Sequence, residues 1–299
     1  MKLKVLILKD KPLFERFLGL RRHALAVYSF ENIYIWKAIF KICWAVIDDN
    51  LCIFFQDKLS RFLYLPPLGR RVSPGAVRES FRVMDSFNTN KSISRIENIE
   101  EGDLGFYRKL RLKLVNKSCD YLCNRRDLAE LEGNRFKSKR ASLNYFLKHY
   151  SFEYLAFAVK YRRDCLKVYQ AWEKAKEKVI QDRVYQGMLQ DSGLCLDLLL
   201  KCYRGLGLIG RLVKIDGEVR AFTFGFRINQ ETFCILYETT DLKIKGLAQF
   251  IFWRFCRELK GYRYINIMDD SGLENLKKVK LSYRPLRLIP AYIAQRPDA

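Results

Sequence analysis

Apolar residues recur at helical spacing over Tyr161–Val179, at Leu166, Tyr169, Trp172 and Ala175. A second helical run, Tyr185–Tyr203, stops before the glycines of RGLGLIG. Three strand-like runs follow, Leu208–Ile215, Val219–Ile228 and Thr232–Glu238. Asp216-Gly217 supplies a two-residue hairpin signal between the first pair, and Asn229-Gln230-Glu231 separates the next. The pattern then predicts a helix over Gly246–Leu259, a strand over Tyr264–Met268, a helix over Leu273–Lys280 and a last strand after Pro285. The first half repeats much of this succession. Helices are expected over Lys11–Leu20 and Glu31–Phe40, with strands over Cys43–Ile47 and Leu51–Phe55 about the turn Asp48-Asp49-Asn50. A third strand, Arg61–Leu65, precedes Pro66-Pro67, and helix Pro74–Asp85, strand Ser92–Ile96 and helix Gly102–Leu110 complete the series. No residue-level repeat links the halves, so duplication rests on element order.

Two helices, an antiparallel meander, then helix, strand, helix and strand is the order of a GNAT (acyl-CoA N-acyltransferase-like) domain. The expected fold class is therefore α/β (α+β). Two GNAT-like subdomains, residues 1–150 and 151–299, would each hold a mixed, mostly antiparallel sheet flanked by helices. KIKGLA, Lys243–Ala248, lies where the second meander enters its long helix. GNAT enzymes place an R/Q-x-x-G-x-G/A loop there, whose N–H groups hold the pyrophosphate of coenzyme A. Lys243, Gly246 and Ala248 stand at its three key positions, with Lys in place of Arg or Gln. A plain helix start with a tolerated glycine accounts for the same residues.

Composition adds a partner class. Of 299 residues, 55 are Lys or Arg and 33 Asp or Glu, a formal +22, within an ordinary globular balance of 49% hydrophobic and 29% charged. Such a field gathers polyanions, either nucleic acid or an anionic membrane face; a merely solvated lysine surface is the alternative. The excess is densest from Arg108 to Lys148, with twelve Lys/Arg against four Asp/Glu. There Arg135, Lys137, Lys139 and Arg140 fall on one helix running to Tyr150. Tyr121, Phe136, Tyr145 and Phe146 are either stacking partners for bases or core residues behind a solvated face. The greasiest run, Tyr34–Ile47, is broken by Lys37 and Lys41 and falls short of the ~20 residues of a bilayer span. Val5–Leu8 is too short for the ~7–15-residue core of a secretory signal. A cytoplasmic protein without a transmembrane segment is expected. Nine cysteines without a CxxC pair, the nearest being Cys119 and Cys123, and only His23 and His149 beside them, predict reduced thiols and no metal.

Three segments carry a family resemblance: SFENIYIW (Ser29–Trp36) with YLPPLG (Tyr64–Gly69), DYLCNRRDLAELEGNRFKSKRASLNYF (Asp120–Phe146), and DDSGLENLKKVKLSYRP (Asp269–Pro285). In order and spacing they span nearly the whole chain. Together they resemble the C-terminal catalytic domain of phosphatidylglycerol lysyltransferases and its stand-alone relatives. The resemblance implies two GNAT-like subdomains and aminoacyl transfer from charged tRNA to a lipid hydroxyl. Characterised members also carry an integral membrane domain, which is not expected here, and this leaves the acceptor open between a lipid and a small molecule. Ala141 stands where the family has Asn, and Thr239 where it has a basic residue.

The candidate chemistry follows. Asn266 and Asp270 lie at a strand end where GNAT folds bind substrate, with Gly272 permitting the tight turn that follows. Asp270 either accepts a proton from the nucleophile, binds its ammonium group, or caps the helix at Leu273. Lys280, with Lys278 near it, is placed to stabilise an oxyanion. Glu238, in YETTD, aligns with a family glutamate and either orients the acceptor or pairs with a lysine. Asp270, Lys280, Glu238 and Asn266 are thus the catalytic candidates. Arg140, Lys139, Lys137, Lys278 and Tyr283 are the substrate-binding ones. Many GNAT enzymes protonate their leaving group with a tyrosine five residues before the aromatic of the next strand. Counting back from Tyr283 gives Lys278, which weakens acyl-CoA as donor, and no cofactor is required. Two other classes stay open: a non-catalytic RNA- or anionic-membrane-binding module on a degenerate GNAT scaffold, and an acyl-CoA-dependent N-acetyltransferase.

Overall fold

The computed structural model describes residues 2–297, which divide into two units. The first holds the chain up to Asp120, Asp269–Glu274 and the residues from Leu288 onward; the second holds Tyr121–Met268 and Asn275–Arg287. The chain opens with strand β1 (Lys4–Val5), helices α1 (Lys11–Leu18) and α2 (Phe30–Ile35), and strands β2 (Lys41–Ile47), β3 (Asn50–Gln56) and β4 (Arg61–Leu63). Helix α3 (Pro74–Asp85), β5 (Arg95–Glu100), α4 (Leu104–Lys109) and β6 (Lys113–Asn124) follow. After α5 (Arg125–Glu130) and α6 (Lys137–His149) come β7 (Glu153–Ala156), α7 (Arg162–Val179), α8 (Arg183–Leu206), β8 (Ile209–Ile215), β9 (Glu218–Arg227) and β10 (Thr232–Thr240). The chain closes with α9 (Leu247–Glu258), β11 (Tyr264–Asn266), α10 (Glu274–Leu281) and β12 (Arg287–Gln295).

Local chemistry sets the frame. Asp48 and Asp49, at φ 45° and 57°, form the two-residue turn of the β2–β3 hairpin, and Asp216-Gly217, at 52° and 77°, repeats it between β8 and β9. Two successive left-handed residues give the twist that antiparallel strands require. Helix α3 starts at Ser73-Pro74, where the Ser73 hydroxyl accepts from the Gly75 N–H at 3.0 Å. Helix α8 starts under Asp182, which accepts from the Tyr185 N–H at 2.8 Å, and ends at left-handed Gly207.

Omitting α5 and α6, the two halves read alike: strand, two helices, three strands, helix, strand, helix, strand. In the first unit β1 to β4 pair antiparallel, β4 meets β5 in parallel, and β12 pairs antiparallel with β5. In the second unit β7 to β10 pair antiparallel, β10 meets β11 in parallel, and β6 pairs antiparallel with β11. Each unit therefore closes on a strand contributed by the other half of the sequence. This exchange corrects the expected boundary at residue 150. The chain leaves the first unit within β6, residues 121–150 belong with the second, and β12 returns to the first because β5 needs its antiparallel partner.

Two other expectations shift. The strand expected over Ser92–Ile96 runs Arg95–Glu100, since Lys91–Ile93 is taken by a 3-10 turn under Asn90, whose Oδ1 accepts from the Ser92 N–H at 2.9 Å. The apolar run Tyr34–Ile47 is the end of α2, a 3-10 turn and strand β2. No helix among the described residues is long and apolar enough to cross a membrane. All nine cysteines are free thiols.

Candidate active site

In the second unit β10 and β11 run together for only three pairs, from Thr232 opposite Tyr264 to Cys234 opposite Asn266. There β11 ends, while β10 continues to Thr240, held on its other side by β9 with Glu238 opposite Thr223. A bulge between Ile235 and Tyr237 re-aims the continuing strand. The parallel pair thus opens at its carboxyl end, and Glu238 lies in the opening, four residues past the last pair. The first unit shows what this position can lose: four residues past the parallel pair of Leu63 with Ile96 stands Pro67, which has no ionisable group.

The Glu238 side chain goes inward. The residue as a whole is half-buried, yet its Oε2 is sealed from solvent and has no hydrogen-bond partner. Burial without a donor pushes this carboxyl up to about 8, and the Lys139 ammonium only partly opposes the rise. Lys139, in the first turn of α6, stands with its Nζ 4.0 Å from the ring centroid of Tyr283. Burial holds it below the usual lysine range against the pull of Glu238. Tyr283 is buried against Phe252 of α9, with ring centroids 4.3 Å apart. Its hydroxyl is held well above the usual tyrosine range by burial first and by Glu238 next. The buried Cys256 thiol is raised by the same two causes. A carboxyl, an ammonium, a phenol and a thiol thus share one partly desolvated region, with the carboxyl poised near neutrality.

The sign of this coupling is testable. A carboxyl whose folded value lies above its unfolded one contributes stability that is full below about 4.5 and lost as pH rises through about 8. Lys139, being lowered, acts in the opposite sense and only at higher pH. The melting temperature of the wild type is therefore expected to fall relative to Glu238→Gln between about pH 5 and 8.5. Thermal scans of both proteins across that range check it; parallel curves would remove the buried carboxylate from the account.

Other sequence candidates have different surroundings. Asn266 is buried and its Oδ1 accepts from the N–H of Met268 at 2.7 Å, holding that residue at φ 60°. Lys280 donates to the Ile267 carbonyl at 2.5 Å, so these two side chains converge on the exit of β11. Asp270 belongs to the first unit; its Oδ1 accepts from the N–H of left-handed Gly272 at 3.0 Å, the turn-capping role. Arg140 turns one nitrogen onto the carbonyls of Leu131 and Gly133, bracing a turn in which both residues have positive φ. Lys137, Lys278 and Lys243 are exposed. Gly246 opens α9 at φ 84°, and a Cβ there would fall inside contact distance of the Ser142 carbonyl oxygen on α6. Ala248 lies in the first turn of α9.

Of the four aromatics considered for stacking, Tyr121, Phe136 and Phe146 are buried. Tyr145 is half-buried and stacks on exposed His149 with centroids 4.1 Å apart, while the Lys245 Nζ lies 4.3 Å from its ring. Sequence reasoning missed Cys256, whose place in FWRFCRE reads only as one more apolar position on a helix. It also missed His149 as the partner of Tyr145, although the four-residue spacing on a predicted helix puts the two on one face. No group of three or more His, Cys, Asp or Glu among the described residues could hold a metal ion.

A family model described as phosphatidylglycerol lysyltransferase, C-terminal, matches residues 20–295. No curated protein matches the chain. Among solved structures it is similar to a conserved protein of unknown function from Bacteroides thetaiotaomicron, at 26% identity and a TM-score of 0.87, covering 99% of this chain and 100% of that one. The L-PGS of Bacillus licheniformis aligns at 18% identity and a TM-score of 0.67, covering 97% and 93%. A tandem GNAT protein from the clavulanic acid biosynthesis pathway aligns at 8% identity and a TM-score of 0.51, covering 100% and 99%. The α/β architecture of two GNAT-like units, expected from element order, is the fold observed.

Proposed function

We propose that this chain, which belongs to the phosphatidylglycerol lysyltransferase C-terminal family, moves an aminoacyl group from a charged tRNA to a hydroxyl of a lipid or small-molecule acceptor. Family and fold support the coarser activity, acyl transfer. Glu238 is the observation that carries the mechanism: a buried carboxyl without a donor, near neutrality, in the opening between two strands.

In its ionised form Glu238 takes the proton of the acceptor hydroxyl as that oxygen attacks the carbonyl carbon of the aminoacyl ester. The ester C–O bond to the ribose then breaks, and Glu238 returns the proton to the departing ribose oxygen. A pKa near 8 keeps both forms populated at neutral pH, as a group that accepts and then donates requires. The Lys139 ammonium, desolvated and oriented over Tyr283, stabilises the negative charge of the tetrahedral intermediate. Asn266 and Lys280 are read as fixing the exit of β11 and Asp270 as closing its own turn, and the proton is assigned to Glu238.

The tRNA donor is supported by the basic run about α6 and by the Lys245–Tyr145–His149 stack, an aromatic face flanked by cations of the kind that receives an unpaired base. Gly246 favours this donor over acyl-CoA, because its missing side chain accommodates α6 rather than a pyrophosphate. A charged-tRNA donor puts the protein in the cytoplasm. Filter binding tests the surface. Tyr145→Ala is expected to weaken tRNA binding about 5- to 100-fold, and Lys245→Ala to reduce the salt slope by about one. The reaction is tested by radiolabelled transfer from mixed charged tRNAs into lipid and small-molecule extracts. Tight, salt-dependent tRNA binding with no transfer would make the protein a binding module.

A further inference from the structure

The segment Asn275–Arg287 of the second unit contains Lys277, Lys278, Lys280, Arg284 and Arg287 and no acidic residue; Glu274, just before it, ends a segment of the first unit. Lys277, Lys278, Arg284 and Arg287 are exposed. Among the described residues the side chains of Lys278, Arg284 and Arg287 enter no ion pair. Aliphatic side chains stand out of the protein between these cations: Val279 is 51% exposed, Leu281 40% and Leu286 62%. Such exposure in a mobile tail would mean little, but this segment is held at several points. Tyr283 is buried against Phe252. The Leu286 N–H donates to the Leu122 carbonyl at 2.8 Å, and tight turns bring the chain through Arg284 at φ 55°.

We infer that Lys277–Arg287 is a docking element for an anionic bilayer surface, its cations meeting lipid phosphates while Leu286, Val279 and Leu281 enter the headgroup–acyl boundary. Charge complementarity selects the occupant. Basic residues near an anionic leaflet gain from its surface potential, and exposed aliphatic groups gain by leaving water at that boundary. An RNA would satisfy the cations and leave the leucines in water, and the segment presents no exposed aromatic ring for a base to stack on. The element also bears on the site already described, since Tyr283, which carries Lys139 on its ring, lies on its inner side. A lipid acceptor held here would stand beside the Glu238 region. That last consequence rests on the acyl-transfer reading; docking itself does not.

The full chain is sedimented with phosphatidylcholine vesicles, with or without about 30% phosphatidylglycerol. Pelleting is expected only with the anionic vesicles and is expected to fall as salt rises. Lys278→Glu, Arg284→Glu and Arg287→Glu together should weaken it more than about 100-fold, at roughly fivefold or more per cation. Leu286→Asp should weaken it with every cation still present. In a separate protein, Leu286→Trp should add an emission that shifts to the blue on phosphatidylglycerol vesicles and remains unshifted with tRNA. Pelleting that is equal on both vesicle types, or absent, overturns the proposal. So does a Leu286→Trp variant whose emission responds to tRNA and not to vesicles, which would make the surface an RNA contact. The mixture contains no donor, so failure here leaves the transfer reaction standing, and failure of transfer with docking intact leaves the surface standing.

Discussion

Glu238→Gln is expected to lower transfer from charged tRNA by about 10²- to 10⁴-fold while leaving tRNA affinity unchanged, the loss typical of removing a general base. The amide has nearly the size of the acid but can neither take nor return a proton. Because the carboxylate has no hydrogen-bond donor on Oε2, the substitution strands no donor there and should not lower stability; as pH rises from about 5 to about 8 it should increasingly raise it relative to the wild type. Lost activity with retained or improved stability is the combination that separates a catalytic role from a structural one. Lys139→Gln adds a directional check. Lys139 draws the Glu238 carboxyl down from where burial alone would set it, so its removal should move the midpoint of the activity profile to higher pH. An unshifted midpoint would mean that the two groups do not act together.

The second large effect is on folding. Gly246→Ala is expected to cost about 2–5 kcal/mol, from a left-handed backbone that disfavours any Cβ and from overpacking against α6. The new methyl would meet the Ser142 carbonyl oxygen, which is backbone, and would lie 3.0 Å from Phe146 Cβ. Phe146 is fully buried and stacks on Phe250 with centroids 4.7 Å apart, so it has little room to move. Denaturant midpoints with unchanged m-values measure the loss. Were this glycine present to admit a pyrophosphate, the alanine variant would lose only the ~1–2 kcal/mol of the left-handed backbone and would lose affinity for acyl-CoA as well.

These two residues show how unevenly structure was written along the chain. Helices α3, α7, α8 and α9 were legible because their apolar periodicity is long and their ends carry local signals, Ser73-Pro74 before one and Gly207 after another. The β2–β3 and β8–β9 hairpins were legible through turn residues that accept positive φ. Strand β6 was not, since KLVNKSCD is half polar and largely exposed before it reaches the buried Tyr121-Leu122-Cys123. The exchange of closing strands had no local signature at all, because it depends on which distant edge each strand finds. At the site, family alignment pointed to Glu238, whereas its burial and missing donor depend on tertiary packing that no local pattern announces. Asp270, Lys280 and Arg140 were chosen for charge and spacing; the structure adds that each also hydrogen-bonds to a backbone group nearby. Tyr145 was one of four equivalent aromatics until burial removed the other three.

The most direct measurement is the pH dependence of single-turnover aminoacyl transfer from charged tRNA, in the wild type and in Glu238→Gln. The account predicts a rate that rises to a plateau with a midpoint near 8, and a residual, pH-insensitive rate in the variant. Equal rates in the two proteins, or a wild-type profile flat across neutrality, would contradict it.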